Sequence, residues 1–314
     1  MEEFKHSQTY VNSVLQNEID ILTNDNQSLK EMIEYAIVGG KRIRPTIAYE
    51  IVKSLKKNHS QFDFDFNLSK IIVFLEFLHS ASLILDDLPC MDDDEYRRGI
   101  QTFHKRFGLQ RAYVISNFMI GKSCSSIVKL VNNNKLYSKN LKELIITQIF
   151  DNNLLTSLGQ IKDLDKCDNR QSAFIDNISR KLISNLHISK MLNESKLNLS
   201  NDKIKELIWL NMKTFPLFYL SFLLPSLLFL EIPNLHEEKY KEKFNIIQHI
   251  SFCFSIMFQI CDDLEDWEKD NNVDKINSHL KIIKIEKIKD LYSICKKEYL
   301  NGIKKVYEQN LKVL

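Results

Sequence analysis

The sequence predicts an all-α protein, one bundle of long helices occupying residues 1–314 as a single domain. Three observations carry that expectation. Seven glycines and five prolines in 314 residues are about a third of the usual share, too little turn chemistry to join many strands. Apolar residues recur every three or four positions over long stretches, the period of an amphipathic helix. No Gly/Ser-rich or Pro-rich linker divides the chain, and no repeat of thirty-odd residues recurs. With 44% hydrophobic and 27% charged residues, the composition is that of a chain that buries one large core.

In chain order, Gly39, Gly40 and Pro45 bracket a basic turn, and the periodic stretches Ile71–Leu85, Leu141–Leu158, Ile204–Leu230 and Phe244–Ile260 each read as a long helix. Asn132–Asn134 reads as a loop and His236–Lys243 as a charged helix start. Phe215–Leu230 is almost wholly apolar but short of the roughly 20 residues a membrane span needs, and it holds Pro216 and Pro225, so a buried helix is expected and no transmembrane segment. The formal charge of +2 gives no overall field toward nucleic acid or an anionic membrane, and no nucleic-acid partner is expected. Cys90, Cys124, Cys167, Cys253, Cys261 and Cys295 lack a CxxC spacing and read as reduced packing residues. The N-terminus Met-Glu-Glu-Phe-Lys has no basic start and no apolar run, so a cytoplasmic location is expected, with an organelle as the alternative.

The chemistry concentrates in two acidic sites. In Leu83-Ile-Leu-Asp86-Asp87-Leu-Pro-Cys-Met-Asp92-Asp93-Asp94-Glu95-Tyr-Arg97-Arg98-Gly99, an apolar helix runs into six acids and then two arginines. Crowded carboxylates raise one another's pKa unless a cation neutralises them. Oxygen donors without a histidine or cysteine ligand pattern suit magnesium, which commonly bridges to substrate phosphates. A second site, Phe258-Gln259-Ile260-Cys261-Asp262-Asp263-Leu264-Glu265-Asp266, again follows an apolar stretch, and Asp262 and Asp266 project from one helical face. Basic groups complement both. Lys41 and Arg44 are three apart on one helical face after the flexible Gly39-Gly40 turn, a grip for a diphosphate that needs no metal. His79 lies two helical turns before Asp86, on the same stripe. Lys213-Thr214 interrupts an otherwise apolar helix, where a buried ammonium is costly unless it meets an anion.

These residues resemble the trans-prenyltransferases, or isoprenyl diphosphate synthases, from about Gly39 to Lys275. Asp86-Asp87-x-x-x-x-Asp92 with Arg97-Arg98-Gly99 is similar to the family's first aspartate-rich motif, and Asp262-Asp263-x-x-Asp266 to its second. Gly39-Gly40-Lys41-Arg42-Ile43-Arg44-Pro45, Gly159-Gln160-x-x-Asp163 and Lys213-Thr214 resemble three further blocks, in the family's order. The resemblance implies the isoprenoid synthase fold, a helical bundle whose acidic sites face each other over a deep apolar cavity, in a homodimer. It implies three Mg²⁺ ions held by Asp86, Asp87, Asp92, Asp262, Asp263 and Asp266 together with the diphosphate of an allylic substrate, dimethylallyl, geranyl or farnesyl diphosphate. Arg97, Lys213 and Lys275 are implied to hold that allylic diphosphate, and Lys41, Arg44, His79 and Arg98 to hold isopentenyl diphosphate.

The reaction logic is physical. Neutralised diphosphate leaves, and the allylic cation needs a dry, preorganised site, to which Thr214 and Gln259 offer uncharged oxygens. Four and five positions before Asp86, Ser82 and Ala81 are small; one turn deeper, a rise of about 5.4 Å, come Phe77 and Leu78. That layering predicts a stop near geranylgeranyl diphosphate, with farnesyl diphosphate as the alternative. A non-catalytic subunit and a terpene cyclase are the rival readings, the second disfavoured because Asp262–Glu268 has no hydroxyl residue. Three departures from the family pattern stand out: Ser116-Asn117 for Gly-Asp, Phe215 after Lys213-Thr214, where it would narrow the allylic pocket, and the shortened Asp270–Lys275 segment.

Overall fold

The computed structural model describes residues 2–55, 64–133, 137–164, 197, 199–229, 238–270 and 285–307. Among these residues the chain forms eleven helices and a single hairpin of two-residue strands, which is the all-α class. It divides into two compact units: Met1–Ile146 with Leu224–Pro233 and Lys312–Leu314, and Thr147–Leu223 with Asn234–Leu311.

The first unit is built on α1 (Glu2–Thr23), α2 (Gln27–Ile37), α3 (Ile43–Leu55), α4 (Phe64–Asp86), the antiparallel pair β1 (Tyr96–Arg97) and β2 (Ile100–Gln101), α5 (Phe103–Phe107) and α6 (Leu109–Asn133). α4 is the central element, packed on α6, α3, α1 and α2. Its run Ile71–Leu75 and Phe77 is closed to solvent on every side, the mark of a helix that is apolar all round and lies inside a bundle. Burying each such side chain contributes about 1.5–3 kcal/mol. The Asn26 side chain caps α2 by accepting from the Leu29 N–H. Gly39, at φ +68, turns the chain out of that helix.

The second unit holds most of α7 (Lys139–Leu164), with α8 (Asn201–Asn211), the first nine residues of α9 (Phe215–Phe229), α10 (Glu238–Asp270) and α11 (Ile285–Tyr307). Its core is aromatic. Phe215 packs edge-on to Phe252, Phe218 to Phe254, and Phe222 to Phe254 and Tyr299, at centroid separations of 5.1–6.2 Å. Gly302 brings α11 close to α10, since a Cβ there would lie 2.1 Å from Ile250 Cγ2.

Several expectations need correction. Ile204–Leu230 is not one helix. The chain breaks at Met212–Thr214, with backbone bonds from Met212 N to Trp209 O and from Thr214 N to Asn211 O, and restarts at Phe215. Pro216 fits the restart: in a first turn its missing N–H costs no helical bond, whereas Pro225 lies inside the same helix. Lys213 and Thr214 therefore occupy a turn and do not interrupt a helix. Lys41 and Arg44 do not share a helical face either, because α3 begins only at Ile43. The expected loop Asn132–Asn134 is partly helix, α6 running to Asn133. Cys253 and Cys295 are buried packing residues, but Cys90 and Cys261 are exposed; no disulfide joins the described cysteines, and Cys167 lies outside the described residues. Phe215–Phe229 is buried through Leu228, as expected. By length and composition, however, three other helices are long and apolar enough to cross a membrane, Asp65–Asp86, Leu109–Asn133 and Lys241–Glu265.

Candidate active site

In the first unit the site grows from the C-terminal end of α4. That helix brings Asp86 and then Asp87 to its negative pole, where the dipole disfavours a carboxylate by about 0.3–1 kcal/mol, so the pair needs a cation. Asp87 has one: Arg97 Nε donates to its Oδ1 at 2.5 Å, and Arg97 Nη2 reaches Asp94 Oδ2 at 3.3 Å. Burial pushes the Asp87 carboxyl up to about 6, against the pull of Arg97 and with Asp94 and Asp86 adding to the rise. The loop returns so that the Asp92 N–H bonds to the Asp86 carbonyl at 2.9 Å, leaving the Asp92 side chain exposed. The hairpin holds Arg97 and Arg98 ahead of Gly99, and its Arg98 is left-handed at φ +55.

A cationic pocket lies one to two turns back along α4. Arg44 Nη1 lies 3.2 Å from His79 Nε2; a guanidinium only donates, so the imidazole is neutral and accepts there. Burial holds the His79 pKa well below its ordinary value, with Arg44, Arg98, Arg97 and Arg42 adding to the depression. Arg98 Nη1 donates to the Val38 carbonyl at 3.1 Å, its stem over Gly39. The Lys41 side chain is exposed, and its carbonyl accepts from Gln8 Nε2 at 2.6 Å. Arg44, His79 and Arg98 are thus brought together, with Lys41 in the adjoining turn. A cleft beside them is lined by Tyr35, Ser80, Asp87, Arg97, Arg98 and Thr102, and the Ser80 hydroxyl is buried without a hydrogen-bond partner.

The state of His79 has a measurable consequence. Its folded pKa lies below its unfolded value near 6.5, so below pH 6.5 the unfolded chain takes up a proton that the folded chain refuses. Stability therefore falls as pH drops through that window, by at most about 1.4 kcal/mol per pH unit. Asp87 contributes the opposite slope between about 4 and 6, so the comparison must be differential. Denaturant melts at pH 5.5 and 7.5 should show a smaller acid loss for His79→Gln than for the parent chain.

In the second unit, the Thr214 hydroxyl donates to Gln259 Oε1 at 3.0 Å, which joins the turn after α8 to the face of α10. One turn on, Asp262 is half-buried and Asp263 buried. Asp266 continues the helix, but its side chain lies outside the described ones, as does Lys275 altogether. Gly159 is where α7 meets the Lys213 turn: a Cβ there would sit 2.6 Å from Lys213 N and from Met212 C. The adjacent Gln160 buries both amide atoms without a hydrogen-bond partner. Phe215 is fully buried and stacked on Tyr219. Ser116 is buried and bonded to the Ala112 carbonyl, and Asn117 is exposed and bonded to the Tyr113 carbonyl.

The four residues expected to set product length divide into two stripes. Phe77 and Ala81 are 0% exposed, whereas Leu78 and Ser82 keep accessible surface. Ala81 is thus enclosed in packing. Glu76 and Arg42 were missed by sequence reasoning, although a lone carboxylate in the apolar stretch Ile71–Leu78 was a readable signal: they form a buried ion pair, Arg42 Nη1 to Glu76 Oε1 at 2.7 Å.

Comparison with known proteins gives a coherent result. Residues 26–278 match the family model described as polyprenyl synthetase. A farnesyl diphosphate synthase of Haemophilus influenzae is 36% identical over 107 residues, 34% of this chain and 34% of that protein. A trans-prenyltransferase of African swine fever virus is 26% identical over 279 residues, 89% of this chain and 72% of its own length. The match thus spans about a third of the bacterial relative and most of the viral one. Among solved structures, a geranyltransferase from Legionella pneumophila superposes with a TM-score of 0.67 at 18% identity, covering 98% of this chain and 94% of that one; at that identity the likeness shows the fold.

Proposed function

The chain belongs to the polyprenyl synthetase family, and from that premise we propose that it condenses isopentenyl diphosphate with an allylic diphosphate to give a longer trans-prenyl diphosphate. The observation that carries the reading is the pairing, along α4, of the carboxylates Asp86 and Asp87 with the cationic pocket of Arg44, His79 and Arg98. One helix end thus offers a place for a metal-bound diphosphate and, beside it, a place for a diphosphate held by cations alone.

Magnesium fits the donor set. The candidate ligands are all carboxylates, and among the described residues no three His, Cys, Asp or Glu side chains converge to hold an ion by themselves. That suits an ion which takes one or two carboxylates and completes its shell with phosphate and water. When bound, it neutralises the allylic diphosphate and makes it a leaving group. Asp86, Asp87 and Asp92 in the first unit and Asp262, Asp263 and Asp266 in the second are assigned to three such ions. Arg97, Lys213 and Lys275 hold the same diphosphate, while Lys41, Arg44, His79 and Arg98 hold isopentenyl diphosphate. The Thr214 hydroxyl donates its hydrogen bond to Gln259, so its oxygen keeps lone pairs to set against the developing allylic cation. Protein incubated with isopentenyl and farnesyl diphosphates and magnesium should yield geranylgeranyl diphosphate by mass analysis. No elongation alone, but elongation on adding a second subunit, would favour the non-catalytic subunit instead.

Product length follows the stripe of α4 that stays open, Ser82 and then Leu78. Ser82→Phe should shorten the product by one isoprene unit, because one turn rises about 5.4 Å. Ala81→Phe should chiefly cost stability, about 1–3 kcal/mol of overpacking. An unchanged product from Ser82→Phe refutes the assignment.

A homodimer is part of the same proposal. On α6, Val114, Phe118 and Val128 are exposed at helical spacing, and a Cβ added at Gly121 between them would meet nothing within 4 Å. An open apolar stripe of this kind suits burial against another helix. Light scattering should return twice the 37.0 kDa chain mass.

A further inference from the structure

Of the three basic residues in the turn before α3 and at its start, Arg42 is held by a buried carboxylate. Its Nη1 donates to Glu76 Oε1 at 2.7 Å and its Nε to Asn12 Oδ1 at 3.0 Å. The side chains of the pair are 8% and 2% exposed. Such an ion pair recovers its desolvation cost only through close geometry and further hydrogen bonds, and the second bond here comes from α1. Arg42 also holds a left-handed backbone, φ +51, in a residue with a side chain. Gly40 leaves room for the arrangement: a Cβ there would lie 2.0 Å from Arg42 Nη1, 3.0 Å from Arg98 Nη1 and 3.1 Å from Glu76 Oε1.

We infer that Glu76 and Arg42 form a buried brace that positions Lys41 and Arg44 for diphosphate, making Glu76 a positioning residue of the metal-free subsite. Glu76 lies one turn before His79 on α4, so it fixes the turn that carries Lys41 to the helix that carries His79. It is also a buried anion beside the cations Arg42, Arg44 and Arg98, easing a repulsion that would otherwise spread the pocket open. Preformed geometry of this kind lowers the cost of binding without touching the ligand. The inference rests on the proposed function for the identity of the ligand but not for its charge.

The test is Glu76→Gln, which keeps the shape and removes the charge. In steady-state assays the KM for isopentenyl diphosphate should rise about tenfold, with the allylic KM within twofold and kcat retained at saturation. A merely structural residue would lower the folded fraction and leave both KM values alone, and that result overturns the inference. If Glu76→Gln does not fold, Asn12→Ala at the exposed end of the brace decides: a rise in the isopentenyl diphosphate KM supports it, and no change overturns it. Should the parent chain elongate nothing, the proposed function fails and the brace is still tested. Calorimetric titration with inorganic pyrophosphate, without metal, should then give weaker binding for either variant, and equal binding overturns the inference.

Discussion

Asp86→Ala lowers turnover by roughly 10²–10³-fold while far-ultraviolet circular dichroism retains the helical content of the parent chain. Asp86 ends α4, where the helix dipole opposes its charge, and it adds to the upward push on the Asp87 carboxyl. Its removal relieves repulsion at the helix end, and the Asp87 pKa should move down from about 6 toward the ordinary carboxylate range. Asp262→Ala should behave alike in turnover, since Asp262 lies one turn beyond Gln259 on α10. Product formation by mass analysis checks both, and activity persisting in either variant removes that carboxylate from the proposed metal site.

Gly159→Ala should cost roughly 10²-fold in kcat, through displacement alone. The new methyl would stand 2.6 Å from the backbone at Lys213 and Met212, and backbone cannot rotate away as a side chain can. Restoring ordinary van der Waals separation moves the turn by nearly an ångström, a misplacement that can cost about 10²-fold when the groups on it orient a reaction. Thr214 travels with the turn, and its hydrogen bond to Gln259 at 3.0 Å is the first to break. The accompanying stability loss is about 1–3 kcal/mol. Gly302→Ala separates the two effects, because its methyl meets Ile250 where α11 packs on α10. It should lose comparable stability and keep its kcat. Equal kcat values for the two variants would end the argument that Gly159 serves the Lys213 turn.

Some of this was legible in the sequence and some was not, for reasons specific to each segment. α4 was readable because Ile71–Leu85 carries a sustained helical period without a breaker and runs into the charge cluster. The bond between Thr214 and Gln259 joins two residues 45 positions apart that the sequence placed only through separate motifs. The break at Met212–Thr214 was hidden because the apolar pattern continues across it; Pro216 was the signal, and its place in a first turn, not its presence, carried the information. Lys41 was set on a helix because three-residue spacing cannot tell a helix from a turn when the residue between adopts a left-handed backbone, as Arg42 does at φ +51. Ala81 and Ser82 are both small and adjacent, so composition treated them alike, yet a helix turns about 100° between them and only Ser82 stays open. Glu76 went unnoticed because its partner is 34 residues away in the chain, and pairings of that range leave no local periodicity.

The exposed thiol of Cys90 sits within the first acidic loop, three residues beyond Asp87 and two before Asp92. It offers a native attachment point for a fluorescent or spin reporter where ligand-driven ordering would register. Cys261, also exposed, adjoins Asp262 in the same manner, so replacing one thiol at a time would let each acid cluster be watched separately during a titration.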